Sequence, residues 1–390
     1  MQRDPAILLL AIGQTLAWAS IYYVFPALLL RWEQELGWSK TELTAAITLA
    51  ILVSALASPL MGRLIDRGLG APMMGGCTVL GGIGLLLLSG VTEKWQFYAI
   101  WFVMGLAMSG CLYEPCFALI TRARQARAKQ GIILITLAAG FASTICYPVV
   151  FSLSETFGWR LGVAAIAFVV MFVVAPVQWL GVRKLQSDAS ESDAKTVAVP
   201  HSRAFLSKPK FWLLAFGFAC LAAAHGAVLH HLLPLMDERG LSPEVAVLTA
   251  SFIGPMQVAG RLAMMATENY ISNHGVARTA FAMMGLSMLM LLGSGVSLAF
   301  LLAFVVLFGS AWGTVNILRP LLAREILGEQ NFGAKSGALA VPYLVGSASA
   351  PYFGALIWSV GGYDLMIWVL LGFAVLGLSL YSYAYALSKT

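Results

Sequence analysis

The chain has 390 residues, of which 59% are hydrophobic and only 11% charged, and its mean hydropathy is +0.83. Soluble globular domains carry about 25% charged residues, so this composition excludes a soluble enzyme or binding module and points to a polytopic membrane protein. The formal net charge of +6 is informative only through where the cations fall.

A spanning helix needs about 20 predominantly apolar residues. In chain order, the apolar runs predict twelve spans, at 6–30, 41–62, 72–92, 95–120, 130–153, 160–182, 211–236, 243–267, 276–296, 298–325, 334–358 and 363–387. Backbone groups in lipid must be bonded internally, which leaves helices or a closed barrel. The runs are too long and too continuously apolar for barrel strands, which alternate over about ten residues. Arg3, the apolar run after it and Ala17-Trp18-Ala19 have the outline of a signal peptide. That run continues to Leu30, too long for an h-region, so it is read as a retained first span.

Lys and Arg are unevenly shared between alternate loops. With the N-terminus inside, roughly 17 fall on the cytoplasmic side and about five opposite. Both termini are therefore expected in the cytoplasm, and the positive charge faces the inner leaflet of a bacterial-type plasma membrane rather than a nucleic acid. Residues 184–209 are Ser-, Asp- and Lys-rich and carry Pro200 and Pro209. They read as a cytoplasmic linker between an N-terminal six-helix bundle (1–183) and a C-terminal one (210–390).

The two halves echo each other. LGWSKTELTAAI enters span 2 and RGLSPEVAVLTA enters span 8. Ser39 with Glu42 has the spacing of a capping box; Ser242 followed by Pro243 reads as an N-cap with proline at the first helical position. Spans 6 and 12 open after FGWR (157–160) and GGYD (361–364). Five cysteines, Cys77, Cys111, Cys116, Cys146 and Cys220, all fall inside apolar runs and none has metal-ligand spacing. They read as small core residues, with no disulfide, metal or cofactor implied. There is no P-loop, HExxH or GxSxG, so no catalytic residue is assigned.

Between spans 2 and 3 the chain reads MGRLIDRGLGAP (61–72). Charges this close to two spans are costly unless they lie at an interface and are paired. The pattern G-x-x-x-D-R-G-x-G, formed by Gly62, Asp66, Arg67, Gly68 and Gly70, resembles the signature loop between helices 2 and 3 of the major facilitator superfamily. The alternative is a polar turn carrying positive-inside charges. The resemblance implies an all-α membrane protein of 12 transmembrane helices in two pseudo-symmetric six-helix bundles, and a gate in which Asp66 meets the N-terminus of span 11. The second copy of the loop has decayed: Asn269, Tyr270 and Met265 stand where Asp66, Arg67 and Gly62 would.

GWS at 37–39, the intact loop, and HLLPLMDERGLSP (231–243) leaving span 7 together resemble the monocarboxylate and oxalate:formate transporter branch. That resemblance implies an Arg in span 8 that binds the substrate carboxylate. Arg261 matches it, with Gln257 one turn earlier on the same face. The Lys deep in span 11 of dicarboxylate exchangers is missing, and span 5 lacks the Gly-Pro motif of drug antiporters. A guanidinium grips a carboxylate bidentately; the alternative for Arg261 is a structural Arg bonded to helix carbonyls.

In this fold spans 1, 4, 7 and 10, helped by 2, 5, 8 and 11, line a central cavity. Candidate walls are Gln14, Trp18 and Tyr22 on span 1, Tyr113 on span 4, Ser143 on span 5, Trp312 and Asn316 on span 10, and Tyr343 on span 11. Such polar stripes equally serve to join helices. Arg319, just before Pro320, reads as a gate or interface charge. Glu114 is expected to be a buried carboxylate, either carrying a proton, its pKa raised by desolvation, or paired with Arg122 or Arg261. His225, His230 and His231 lie on span 7 at spacings that do not share a face, so a metal site is not expected; His225 is a second proton candidate or a hydrogen-bonded core histidine.

The expected function is a monomeric secondary transporter of a small organic anion, a monocarboxylate, coupled to protons by alternating access. The rivals are an exporter of drugs or of a neutral or metal-chelating metabolite, and a membrane receptor that transports nothing.

Overall fold

The computed structural model describes residues 4–125, 128–188, 204–328 and 332–389. All regular structure among them is helical. Among the described residues, eleven helices are long and apolar enough to cross a membrane. The last, Gly337–Lys389, breaks at Gly361 (φ −151°, ψ 23°) and Gly362 (φ 70°, ψ −172°), so it is two spans and the total is twelve, as the hydropathy predicts. Many outward side chains are large and apolar, for example Leu56 and Phe172, as a lipid-facing surface requires.

The chain forms two compact units, Met1–Ala194 and Lys195–Thr390. The linker expected at 184–209 begins later than its composition suggests, because the sixth span runs as helix to Ser187. Residues 189–203, most of that linker, lie outside the described residues.

The first unit holds Pro5–Leu36, Lys40–Asp66, Gly70–Ser89, Lys94–Arg124, Ala128–Phe157 and Trp159–Ser187. Asp4 caps the first helix and pairs with Arg124 at 2.7 Å; that guanidinium holds the Asp4 carboxyl below its ordinary value. Ser39 and Glu42 form the expected capping box. A knot of edge-on aromatic contacts closes one end of the bundle, with Trp32 against Phe25, Phe97, Trp101 and Trp159. Spans 2 and 4 touch through backbone: a Cβ on Gly105 would lie 2.4 Å from the Ala50 carbonyl oxygen. Small residues allow this approach where no hydrophobic force draws helices together.

The 61–72 loop owes its shape to two of its glycines. Gly68 has φ +78°, and the Gly68 and Leu69 amides donate back to the Ile65 and Leu64 carbonyls, which ends span 2 in a Schellman turn. Gly70 starts span 3, where a Cβ would lie 2.4 Å from Leu119 Cδ2 of span 4. Gly62 meets nothing within 4 Å, and the structure gives no steric reason for it. Asp66 pairs with Arg122 at 3.3 Å, and both are exposed. Arg122 is thus taken by Asp66 and not by Glu114. Arg67 is exposed. Gly68→Ala should cost about 1 kcal/mol, because a Cβ penalises the left-handed conformation. A detergent-solubilised melting curve lowered by a few degrees would show it; an unchanged curve would mean the turn relaxes without cost.

The second unit holds Pro209–Glu238, Pro243–Ala266, Asn273–Leu292, the helix Leu298–Leu327, and the two spans of Phe332–Lys389. Ser242 caps span 8 with Pro243 inside its first turn, as expected. Spans 8 and 10 cross at three glycines. A Cβ would lie 2.3 Å from the Ser310 oxygen at Gly260, 2.8 Å from the Ile253 oxygen at Gly309, and 2.1 Å from the Gln257 oxygen at Gly313. The Gly309/Gly313 spacing is the small-xxx-small pattern that lets membrane helices meet backbone to backbone. This crossing carries the charged candidates of the second unit.

Candidate substrate site

The first half is built around two disturbed helices and the second around a close helix crossing. In the first half, span 4 breaks at Leu112 (φ −94°, ψ −156°). The cause is Pro115: it has no N–H for the Cys111 carbonyl four residues back, and its ring crowds that oxygen. Gln14 Nε2 donates to the orphaned carbonyl at 2.8 Å and Gln178 Nε2 at 3.1 Å. Gln178 also donates to the Gly13 carbonyl at 3.2 Å and accepts from the Thr78 hydroxyl at 2.6 Å. All of these side chains are fully buried. Gln14 is therefore not a cavity wall; it repairs the main chain of span 4. Gln178 and Thr78 were missed in the sequence, where only Pro115 hints that a donor is needed.

Span 1 loosens at the same level. Residues Trp18–Tyr22 form a π-turn, with the Tyr23 amide bonded to the Trp18 carbonyl at 3.0 Å. Such bulges swing side chains out of helical register and recur at functional sites. Here they gather an aromatic patch: Trp18 lies 4.9 Å from Tyr22 and 4.7 Å from Tyr113, and Tyr113 stacks on Phe117. Tyr23 links Tyr22 to Tyr147. Trp18, Tyr22 and Tyr113 are half-buried, as wall residues should be. Ser143 and Tyr147 are buried, and their hydroxyls, like the Trp18 indole N–H, have no partner among the described residues. Glu114 lies in the first turn of the second half-helix of span 4, where an anion is favoured by the helix dipole. It is exposed, not buried as expected.

In the second half, Arg261 is buried and its Nε donates to the Gly313 carbonyl at 3.0 Å. This is the main-chain contact of a structural Arg, made possible by the close crossing of spans 8 and 10. Gln257 is buried beside it, its Nε2 without a partner among the described residues. The side chain of Asn316 lies outside the described residues.

A column of planar groups runs along span 10. His225 of span 7 stacks on Trp312 at 3.6 Å and 4°, and on Phe308 at 5.1 Å and 9°. Trp312 is parallel to Tyr343 within 8°, at 6.2 Å. The Arg319 guanidinium caps the column, 3.9 Å from the Tyr343 ring centroid. Arg319 Nη1 and His225 Nε2 are both buried with no hydrogen-bond partner among the described residues. The helical spacing 312, 316, 319 did put Trp312 and Arg319 on one face. It could not show that Tyr343 of span 11 and His225 of span 7 close on them. His230 and His231 are structural: His230 Nδ1 bonds the Gly226 carbonyl, and His231 bridges the Pro351 carbonyl and the Tyr363 hydroxyl. Among the described residues, no group of three or more His, Cys, Asp or Glu is placed to hold a metal.

Residues 10–328 match the family model described as the Major Facilitator Superfamily. The chain belongs to this superfamily. It is thus a multi-pass transporter of a small-molecule substrate and not an enzyme. Among curated proteins it is similar to Monocarboxylate transporter 12 of Xenopus laevis, 25% identical over 332 residues, covering 76% of this chain and 71% of the relative. Monocarboxylate transporter 12-B of Danio rerio is 26% identical over 383 residues, covering 86% and 76%. The superfamily fold is also seen in a bacterial homolog of the human lysosomal transporter Spinster. Its inward-facing occupied and unoccupied crystal structures give TM-scores of 0.70 and 0.72 at 15% identity, covering 97% and 98% of this chain and 96% of that one.

Proposed function

We propose that this superfamily member moves a small organic monocarboxylate together with protons across a bacterial-type inner membrane, with both termini in the cytoplasm. The observation that carries the reading is Arg319. It is a permanent cation inside a span, and its Nη1 is buried and unmatched. An unsatisfied buried donor costs about 1–3 kcal/mol, and a carboxylate supplies both the charge and the acceptor geometry. The likeness to proteins named monocarboxylate transporters supports the same class. Arg261 and Gln257 stand on the neighbouring span and complete the donor set. Asp66 and Arg67 latch the cytoplasmic side, and the Asp66–Arg122 pair orients that latch.

For the proton, His225 is the better-supported carrier. Its Nε2 is a buried, unpartnered ring nitrogen in the same column as Arg319. Uptake of radiolabelled monocarboxylates into proteoliposomes under an imposed proton gradient tests the reading. Uptake should rise with the gradient in the parent. His225→Gln should lose that rise but keep carboxylate-for-carboxylate exchange, which needs no net proton release. A mutant still driven by the gradient returns the role to Glu114. Binding of lipophilic cations with no response to carboxylates replaces the whole reading with an exporter.

A further inference from the structure

We propose that Trp312, Tyr343 and Arg319 form a subsite for an aromatic carboxylate, the ring stacking along the column and the carboxylate meeting the edge of Arg319. The proposal rests on the anion reading above and narrows it to a substrate class.

The geometry separates two uses of the guanidinium. Its Cζ lies 3.9 Å from the Tyr343 ring centroid, a cation–π contact that takes up one side of the group. What remains for a ligand is the in-plane fork of N–H groups, and Nη1 on that fork has no partner among the described residues. A carboxylate binds such a fork side-on. The rest of that ligand must then occupy the space next to Tyr343 and Trp312.

That space is bounded by π-faces. Phe308, His225, Trp312 and Tyr343 are nearly parallel, with successive planes within 9° of one another. The column is sealed at Phe308, which is fully buried, and at His225. Trp312 and Arg319 are its half-buried members. With centroids 6.2 Å apart in parallel planes, Trp312 and Tyr343 are too far apart to cover each other fully. A third planar group can therefore continue the stack where Trp312 is open. A small aliphatic acid such as a hydroxy or keto acid would satisfy Arg319 but leave the aromatic surface bare. An aromatic acid satisfies both. Stacking adds about a three- to tenfold gain beyond area burial.

Calorimetry on the purified full-length protein with benzoate and cyclohexanecarboxylate tests this, since the two share a carboxylate and a similar size but only benzoate has a π-face. The parent should bind benzoate about three- to tenfold more tightly. Trp312→Leu and Tyr343→Leu should erase that preference while cyclohexanecarboxylate binding persists, and Tyr343→Phe should keep it. Equal affinity of the parent for the two acids overturns the aromatic subsite and leaves the anion reading standing. A preference that survives in both leucine variants overturns it too. Binding of benzylammonium with no binding of either acid overturns the subsite and the anion reading together. If a leucine variant does not fold, the ratio of the two acids on the parent still decides.

Discussion

Replacing Gln14 and Gln178 together by methionine should destabilise the protein by about 3–5 kcal/mol, beyond the sum of the single replacements. In bilayer proteins a buried side-chain hydrogen bond contributes on average only ~0.6 kcal/mol. Gln14→Met alone leaves the Cys111 carbonyl with Gln178, and Gln178→Met alone leaves it with Gln14. Each single change should therefore cost about 1 kcal/mol. Only the double change orphans a buried carbonyl that Pro115 has already denied its helical partner, and an unsatisfied buried acceptor costs about 1–3 kcal/mol more. Methionine is the right replacement because it is unbranched. Gln178 Cγ would sit 2.7 Å from a Cβ on Gly13, so a branched side chain would add a clash unrelated to hydrogen bonding. Chemical unfolding in detergent of the four proteins in the cycle gives the coupling, expected near 1 kcal/mol or above. Strict additivity would mean that water or a relaxed span 4 satisfies the carbonyl, and that the glutamines do not hold the break in place.

The break also shows which features could be read from the sequence. Span number, helix caps and the positive-φ turn of the signature loop are local, so residue type and spacing at Ser39, Glu42, Ser242 and Gly68 suffice to find them. Pro115 announces an orphaned carbonyl at Cys111 by the same local logic. The donors that answer it come from spans 1 and 6, far away in the chain, and nothing local selects them. Gln14 follows the helix-joining alternative of the two its sequence leaves open. A polar residue on an apolar span gives one signal in sequence, whether it faces a water-filled cavity or a neighbour's backbone. Glu114 gives the converse case: a lone carboxylate in an apolar run suggests burial, but the helix break places it in an exposed first turn. Among the cations, span position singled out Arg261. Only the packing shows that Arg261 spends its Nε on Gly313 while Arg319 keeps an N–H free.

Arg319→Ala should weaken carboxylate binding by about one to two powers of ten without lowering the stability of the ligand-free protein. Charge-assisted hydrogen bonds contribute roughly 1.5–3 kcal/mol, which sets the loss in affinity. The effect on stability has the opposite sign from most core truncations. The parent holds a buried Nη1 with no hydrogen-bond partner among the described residues, and removing an unsatisfied buried donor relieves a cost of about 1–3 kcal/mol. That relief offsets the lost packing on Tyr343. Arg261→Ala should behave differently. It removes the Nε bond to the Gly313 carbonyl at 3.0 Å, at the crossing of spans 8 and 10, so its melting temperature should fall along with any loss of binding. Arg319→Lys keeps the charge but loses the planar fork and the guanidinium contact with Tyr343, and should bind nearly as poorly as Arg319→Ala. Melting curves and calorimetry on the parent and these three variants separate the roles. Should Arg319→Ala bind benzoate as tightly as the parent while Arg261→Ala does not bind it at all, the anion belongs to Arg261, and the Arg319 column is packing.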